Sequence, residues 1–146
     1  MSPRAEKKAM QAAIAIGCLV PLLAGGAGMA MGPAELRGVG AGGPVDLDSH
    51  FRYLSGLLFG VGIGFLTCIP RLEAKGRRVR LLGLIVVIGG LARLASLFAR
   101  GIPGIEHQLA LGMELGVVPA LMLWHARFTR RWPRSEGGGH GQEEET

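Results

Sequence analysis

The sequence predicts an all-α membrane protein in which four transmembrane helices form an antiparallel bundle, with both ends of the chain in the cytoplasm. Two observations lead to this fold class: four long apolar runs, and the uneven distribution of basic residues among the segments that flank them. Composition agrees, because 49% of the 146 residues are hydrophobic and another 25 are glycine. Charged residues make up 18%, against about 25% in soluble domains. The runs lack the alternation of apolar and polar residues that is typical of a membrane β-barrel.

The four apolar runs each approach the length that a membrane helix needs. About 20 apolar residues, each adding 1.5 Å, cross about 30 Å of hydrocarbon. Residues 9–34 and 53–70 carry no charge, residues 81–99 contain one charge, Arg93, and residues 107–126 contain one charge, Glu114. The predicted spans lie near residues 10–31, 51–70, 80–99 and 105–125 of a single domain, 1–134, and residues 135–146 are predicted to form a disordered polar tail. Buried helices of a soluble protein are the alternative interpretation.

Basic residues indicate how the predicted bundle is oriented. Twelve of the sixteen fall in the N-terminal tail, the connection between the second and third spans, and the C-terminal tail: Arg4, Lys7, Lys8, Arg71, Lys75, Arg77, Arg78, Arg80, Arg127, Arg130, Arg131 and Arg134. Short connections rich in Lys and Arg stay in the cytoplasm, so both termini are predicted inside. The basic rim accounts for the net charge of +5 and favours membrane lipids, not nucleic acid, as partners.

The first span has a second interpretation, as a cleaved signal peptide. It follows a basic start and ends near Gly28, Met29 and Ala30, small residues that loosely resemble a cleavage site. However, its 26 uncharged residues exceed the usual apolar region of a signal peptide, which is about 7–15 residues long. An even number of spans with both ends inside also requires this helix. We therefore expect it to be retained.

Small residues indicate where the predicted helices pack closely, because glycines let backbones approach each other within a membrane. They recur in three of the spans: Gly25, Gly26 and Gly28 in the first, Gly56, Gly60 and Gly64 in the second, and Gly89 and Gly90 in the third. Spacing alone leaves two interpretations open, tight packing within one chain or contact between two chains of a homodimer.

Two prolines lie inside predicted spans, Pro21 in the first and Pro119 in the fourth. A proline inside a helix removes a backbone donor and crowds the preceding turn. We therefore expect a kink or a local opening of the helix at each position.

Familiar catalytic and cofactor motifs are lacking. Cys18 and Cys68 fall within predicted spans at no metal-binding spacing, so buried inert thiols are expected. The sequence contains no phosphate-binding loop, nucleophile elbow or nucleotide fingerprint in a suitable context. We expect no cofactor and no metal, and the balance favours a protein that is not an enzyme.

Two charges lie where an apolar span should have none. Arg93 is about six residues from the external end of the third span, or roughly 9 Å below the rim. Glu114 is about nine residues from the external end of the fourth span, or roughly 13 Å below it. Each charge alone would cost a few kcal/mol in the membrane. We therefore expect these two side chains to form an ion pair between adjacent helices.

Further polar residues are predicted near the same external rim: Asp48, His50, Arg52, Glu106 and His107. Together with Arg93 and Glu114 they form a predicted external polar cluster. One interpretation is structural, with an ion pair that fixes the helix register and with rim residues that are merely solvated. Another is a pocket that binds a small or amphipathic ligand, because ionisable groups inside a membrane are candidates for function. Catalysis or metal binding through His50 and His107 is a third possibility, although no pair of histidines has the spacing of helical ligands.

Several segments have a pattern specific enough for a comparison with known families. These are the stretch Asp48-Ser49-His50-Phe51-Arg52-Tyr53-Leu54-Ser55-Gly56, the segment Ile69-Pro70-Arg71-Leu72-Glu73, the stretch Val86 to Leu94 with its Gly89-Gly90-Leu91-Ala92-Arg93, the turn Gly101-Ile102-Pro103, and Glu114-Leu115 with Pro119. They resemble a small bacterial membrane family, the domain of unknown function 4345. The resemblance covers about residues 10–130. It implies a four-helix protein of the bacterial inner membrane without an established activity, and it includes His50, Arg52, Gly89, Gly90, Arg93 and Glu114 among its matching positions.

The function that we expect is non-enzymatic: an accessory or ligand-binding membrane protein that works through the external polar cluster. A small dimeric transporter is the alternative, because a single four-helix bundle offers only a thin wall around a pathway. A membrane enzyme acting on a lipid or quinone is a third possibility. The partners expected are membrane lipids, with a second copy or a larger membrane complex as further possibilities.

Overall fold

The computed structural model describes residues 2–36, 39 and 43–131, and within them every regular element is helical. Five α-helices follow in order: α1 (Pro3–Met31), α2 (Val45–Leu66), α3 (Gly76–Arg100), α4 (Ile105–Gly112) and α5 (Val118–Arg131). One π-helical turn, Met113–Val117, joins α4 to α5, and short 3-10 turns occupy Gly32–Glu35 and Ile69–Arg71. The all-α prediction is confirmed for these residues. The predicted disordered tail, residues 135–146, lies outside them.

Four helical segments are long and apolar enough to cross a membrane: Pro3–Ala34, Val45–Arg71, Gly76–Arg100 and Ile105–Arg131. They coincide with the four predicted spans, and each of them is longer than predicted. Helix α1 begins at Pro3 because the side chain of Ser2 accepts a hydrogen bond from Ala5 N–H at 3.3 Å and Pro3 suits the first helical position. Helix α2 begins at Val45, with Asp46 in its first turn, where an acidic side chain is favourable.

Side-chain contacts show which helix ends lie together. Lys7 of α1 bonds Glu73, between α2 and α3, at 2.9 Å, and His125 of α5 bonds the carbonyl of Leu72 at 2.8 Å. We call this end of the molecule, with the start of α1, the α2–α3 connection and the end of α5, the terminal end. Arg52 of α2 bonds the carbonyl of Ala30 in α1 at 3.0 Å at the opposite end, which we call the loop end.

The helices associate chiefly as two pairs, α1 with α2 and α3 with the segment from α4 to α5. Glycine makes both approaches possible. A Cβ atom on Gly25 would lie 2.8 Å from Phe59 N and from Ser55 O, so the backbones of α1 and α2 touch there. A Cβ atom on Gly90 would lie 2.8 Å from the Cβ of Glu114, in the π turn. The predicted close packing is thus confirmed at Gly25 and Gly90.

Other predicted packing glycines have different surroundings. Gly56 faces Met29 of α1, and a Cβ on Gly64 would lie 3.0 Å from Leu82 Cδ2 of α3. Gly60 and Gly89 are exposed, and a Cβ on either would meet nothing within 4 Å. Within this one chain, Gly60 and Gly89 therefore contact no neighbouring helix, because a four-residue repeat defines a helix face without showing which part of it meets a neighbour. Contact between two chains stays a prediction at these two positions.

The large buried side chains lie toward the terminal end. They form one cluster from α1, the α2–α3 connection, α3 and α5: Met10, Ile14, Cys18, Cys68, Leu72, Val79 and Phe128. Both cysteines are buried and free, as predicted. No comparable cluster of buried hydrophobic side chains is found at the loop end of the described chain.

The fourth segment opens locally before Pro119. Val118 N–H donates to the carbonyl of Met113, five residues back, which is the π-helical pattern. Pro119 has no N–H to offer the carbonyls in this turn, and its ring would crowd Leu115 in a regular α-helix. The predicted local opening is confirmed here. Pro21, in contrast, lies within the continuous helix α1.

Candidate functional site

Arg93 and Glu114 form the predicted ion pair, and its geometry is bidentate. Arg93 Nε donates to Glu114 Oε2 at 3.0 Å, and Nη2 donates to Oε1 at 3.1 Å. The side chains are 32% and 17% exposed, respectively. Because Arg93 binds through Nε and Nη2, its Nη1 group keeps two N–H donors with no acceptor among the described residues. The pair therefore fixes the guanidinium while leaving one of its edges available.

Local backbone features bring the two charges together. Gly90 lies one turn before Arg93 in α3. Because Gly90 has no side chain, the π turn approaches α3 so closely that a Cβ on Gly90 would touch Glu114. Glu114 is the second residue of that turn. π-Helical turns occur frequently at functional sites, where they re-aim a side chain. The combination of Gly90 and the turn before Pro119 thus positions the carboxylate.

An apolar cleft lies between the two helix pairs and reaches this ion pair. All four long segments line it, and its volume is about 400 Å³. The walls include Ile14, Phe65, Val79, Val86, Val118 and Met122, while Arg93, Glu106, His107 and Glu114 lie at its polar end. Ligand pockets of proteins commonly measure about 300–1,000 Å³ and combine apolar walls with a few polar groups. This cleft has that character, and we call it the apolar cleft.

A second cavity, which we call the basic recess, adjoins the ion pair at the loop end. Its polar side chains are Arg93, Ser96, Arg100 and His107, and its volume is also about 400 Å³. Gly101, Ile102 and Pro103, in the turn between α3 and α4, complete the wall. Arg93 and His107 line both cavities. No carboxylate lines the basic recess among the described residues, so cations dominate its charge.

The predicted external polar cluster is divided into two groups. Arg93, His107 and Glu114 line the apolar cleft, with Glu106. Asp48 and Arg52 instead form their own ion pair, with Arg52 Nε donating to Asp48 Oδ2 at 2.8 Å. This pair is more open to solvent, with side chains 41% (Arg52) and 43% (Asp48) exposed.

Asp48 and Arg52 are placed by the α1–α2 corner. Arg52 Nη1 also donates to the carbonyls of Met29 and Ala30, at the end of α1. The four-residue spacing of Asp48 and Arg52 on one helix is the signal that could have predicted their pairing. His50 is exposed on the same helix, and no described contact joins it to either group. The expectation of one shared cluster was therefore wrong for these three residues, because they serve the corner or face outward.

The terminal end holds polar contacts that sequence reasoning missed. Trp124 Nε1 donates to Glu6 Oε1 at 3.0 Å, and Gln11 Nε2 donates to the carbonyl of Ile69 at 2.7 Å. His125 is buried against the carbonyl of Leu72. These contacts form because α1 begins well before its predicted start and so carries Glu6 into contact with Trp124. Trp124 and His125, at the end of an apolar run, were the available signal.

Among the described residues, Lys7 and Glu73 form a third ion pair, at 2.9 Å, and Glu73 lies in the connection between α2 and α3. Burial raises the pKa of Glu73, but the hydrogen bond from Lys7 and the positive charges of Lys7 and Arg71 lower it, and the net pKa lies below the ordinary glutamate value. The ionised carboxylate is thus the form that the folded protein favours.

Metal-binding chemistry finds no support in this part of the chain. Within residues 2–36, 39 and 43–131, no three or more His, Cys, Asp or Glu side chains form a group that could hold a metal ion. His50 and His107 in particular lie in separate surroundings. The arrangement that the site offers is an apolar cleft that ends at ionised and polar side chains.

Comparison with known proteins adds one finding. No curated protein and no solved structure matches the chain significantly. A family model, described as a domain of unknown function (DUF4345), matches residues 9–125. That range covers most of each of the four long helical segments and includes both Arg93 and Glu114. The chain therefore belongs to the DUF4345 family.

Proposed function

We propose that this protein is a multi-pass protein of the bacterial inner membrane that binds a small amphipathic ligand and does not act as an enzyme. The single observation that carries the proposal is the apolar cleft between the two helix pairs, which ends at Arg93, Glu114 and His107. A purely structural ion pair would need no such space beside it. Tight helix packing would fill the space with side chains, as it does at the terminal end.

The polarity of the apolar cleft supports an amphipathic ligand. Walls such as Val79, Val86 and Phe65 offer no hydrogen bonds, so they suit an alkyl or isoprenoid chain. The charged end suits a polar headgroup, and Glu114 holds the guanidinium of Arg93 in place before a ligand arrives. A preorganised polar group binds at a lower entropic cost than a mobile one.

The orientation that we propose is an antiparallel bundle with both termini in the cytoplasm. The twelve basic residues of the tails and of the α2–α3 connection support it, since the terminal end would then face the cytoplasm. The loop end, with the basic recess, would face outward. A reporter that works only outside the cytoplasm should be active when fused after Pro44 or Pro103 and inactive after Gly76. Activity at Gly76 would contradict this orientation.

A filled cleft provides the test of ligand binding. Gly17 lines the apolar cleft, and a Cβ there would meet nothing within 4 Å, so Gly17→Leu adds side-chain volume at the wall of this space. The protein is purified from its host membrane in mild detergent, and bound small molecules are extracted and identified by mass spectrometry. We expect an amphipathic molecule to accompany the wild-type protein and to be lost from Gly17→Leu.

Gly60→Leu is the matched control. Gly60 is also a helical glycine with nothing within 4 Å of a Cβ, but it is exposed and does not line the cleft. This variant should retain the ligand, and both variants should unfold at temperatures close to that of the wild type. Equal retention of the molecule by all three proteins, or the absence of any bound molecule from the wild type, would overturn the proposal.

A further inference from the structure

We propose that the ligand is a single-chain amphiphile with an anionic headgroup, whose chain lies in the apolar cleft and whose headgroup lies in the basic recess. This inference rests on the proposed ligand-binding function and adds the chemical class of the ligand. It is carried by the juxtaposition of the two cavities, which share Arg93 and His107. The two cavities therefore adjoin at these two side chains.

Charge is the first argument for an anion. The basic recess is lined by Arg93, Arg100 and His107 without a carboxylate among the described residues. Glu114 neutralises one of the two guanidinium groups, whereas no ion pair of Arg100 is found in the described chain. An anion placed here would meet uncompensated positive charge, which is favourable even near a water-filled rim.

Hydrogen-bonding capacity is the second argument. Arg93 Nη1 has two donors without an acceptor in the described chain, and Ser96 adds a hydroxyl to the same wall. Side-chain donors therefore outnumber side-chain acceptors in the lining of this recess, which is the pattern that recognises a phosphate or carboxylate.

The shape of the apolar cleft limits the number of hydrocarbon chains that a ligand can place in it. Val79, Val86 and Arg93 line one face of α3 at seven-residue intervals and span about 21 Å along the helix. That length suits a long alkyl chain that extends from the recess toward the terminal end. A volume of about 400 Å³ favours one chain over the two chains of a bilayer phospholipid.

The test compares three probes that separate headgroup from chain. Palmitoyl lysophosphatidic acid carries both, monopalmitoylglycerol has the same chain without the charge, and glycerol 3-phosphate has the charge without the chain. Binding of each to the purified full-length protein in detergent is measured by native mass spectrometry. We expect lysophosphatidic acid to bind about tenfold more tightly than monopalmitoylglycerol, as a charge-assisted hydrogen bond would provide, and glycerol 3-phosphate not to bind detectably.

Substitution of Arg100 locates the headgroup without disturbing the Arg93–Glu114 pair. Arg100→Gln should abolish most of the preference for lysophosphatidic acid and leave the affinity for monopalmitoylglycerol unchanged. Arg127→Gln is the matched control, because Arg127 is an exposed arginine of α5 near the terminal end, and it should leave both affinities unchanged.

The possible outcomes distinguish this inference from the proposed function. Equal binding of the charged and neutral amphiphiles, or no effect of Arg100→Gln, would overturn the anionic headgroup and leave the ligand-binding function intact. Tight binding of glycerol 3-phosphate would overturn the amphiphile in favour of a free phosphate compound. Failure of both amphiphiles to bind would contradict the proposed function as well.

Discussion

The terminal end and the loop end of this protein hold the same four helical segments together in different ways. At the terminal end, large side chains such as Met10, Leu72 and Phe128 are fully buried, and polar contacts link α1, the α2–α3 connection and α5. At the loop end, glycines join the helices only within each pair. The buried cluster and the polar contacts of the terminal end thus hold the two helix pairs together, and we call them the clamp. Beyond the clamp, the space between the two pairs stays open.

This difference shows how a small bundle can be stable and still contain a cavity. Filling the interior along its whole length would bury more apolar surface but leave no room for a ligand. Concentrating the cross-pair contacts at one end keeps the pairs together while a cleft stays open between them. Substitutions at the two ends should therefore have different effects.

The largest loss of stability is expected from a substitution within the clamp. Phe128 is 1% exposed in the terminal cluster, and Phe128→Ala should lower the free energy of unfolding by about 3 kcal/mol through lost contacts and the cavity left behind. Phe98→Ala is the matched control, since Phe98 is 79% exposed on α3, and it should change stability little. Unfolding of both variants in one detergent would measure the difference, and equal losses would contradict the clamp.

A smaller loss is expected from the glycine contact within the first pair. Gly25→Ala would place a Cβ 2.8 Å from backbone atoms of α2, so the two helices must separate, at a cost of about 2 kcal/mol. Gly26→Ala, its neighbour, would meet only the ring of Phe59 at 3.7 Å and should be neutral or slightly stabilising. Thermal unfolding of the two variants provides the measurement, and a tolerated Gly25→Ala would rule out the close backbone contact.

The two ion pairs at the loop end should differ in the coupling energy between their two side chains. In a double-mutant cycle, Arg93→Ala and Glu114→Gln should couple by about 1–3 kcal/mol, because the pair is bidentate and largely shielded. The same cycle with Arg52→Ala and Asp48→Asn should give less than about 1 kcal/mol, since that pair is more exposed. Additive losses for Arg93 and Glu114 would contradict the structural pair.

The smallest expected effect is the pH dependence of the stability that Glu73 contributes at the terminal end. The pKa of Glu73 is lower in the folded protein than its ordinary value, so its contribution to stability is present at neutral pH and is lost as the pH falls through the folded pKa. The stability difference between the wild type and Glu73→Gln, less than about 1 kcal/mol at neutral pH, should therefore stay nearly constant from about pH 7 to about pH 5 and shrink from there to about pH 3. Melting temperatures across that range would test it, and a difference that grows on acidification would show the opposite sign.

The apolar runs made the helices predictable. The similar depths of Arg93 and Glu114 in adjacent spans made their ion pair predictable. Two opposite charges at similar depths in adjacent spans stabilise each other best by pairing, and few other arrangements satisfy both. The helix bounds were less predictable, because composition assigns residues such as Glu6 and Lys7 to solvated tails. Only tertiary contact with Trp124 and Glu73 shows that they belong to the clamp.

The sequence alone also could not predict which glycines contact a neighbouring helix. Gly60 and Gly64 share a spacing, yet a Cβ on Gly64 would meet Leu82 and one on Gly60 would meet nothing. The answer depends on how the two helix pairs are placed, a global property that local spacing does not contain. The apolar cleft was unpredictable for the same reason, since it is the space between elements and no single motif encodes it.

The π turn at Met113–Val117 has a consequence for how the fourth segment can vary. A π turn is equivalent to one residue inserted into an α-helix, so the helix faces before and after it are out of phase by about 100°. Residues Ala110 and Glu114 therefore follow one register, and His125 and Phe128 follow another. Deleting one residue of the turn, such as Gly116, would restore a single register at the cost of rotating Glu114 relative to the clamp. The inserted residue thus sets the angle at which the side chains of the first half stand relative to those of the second half.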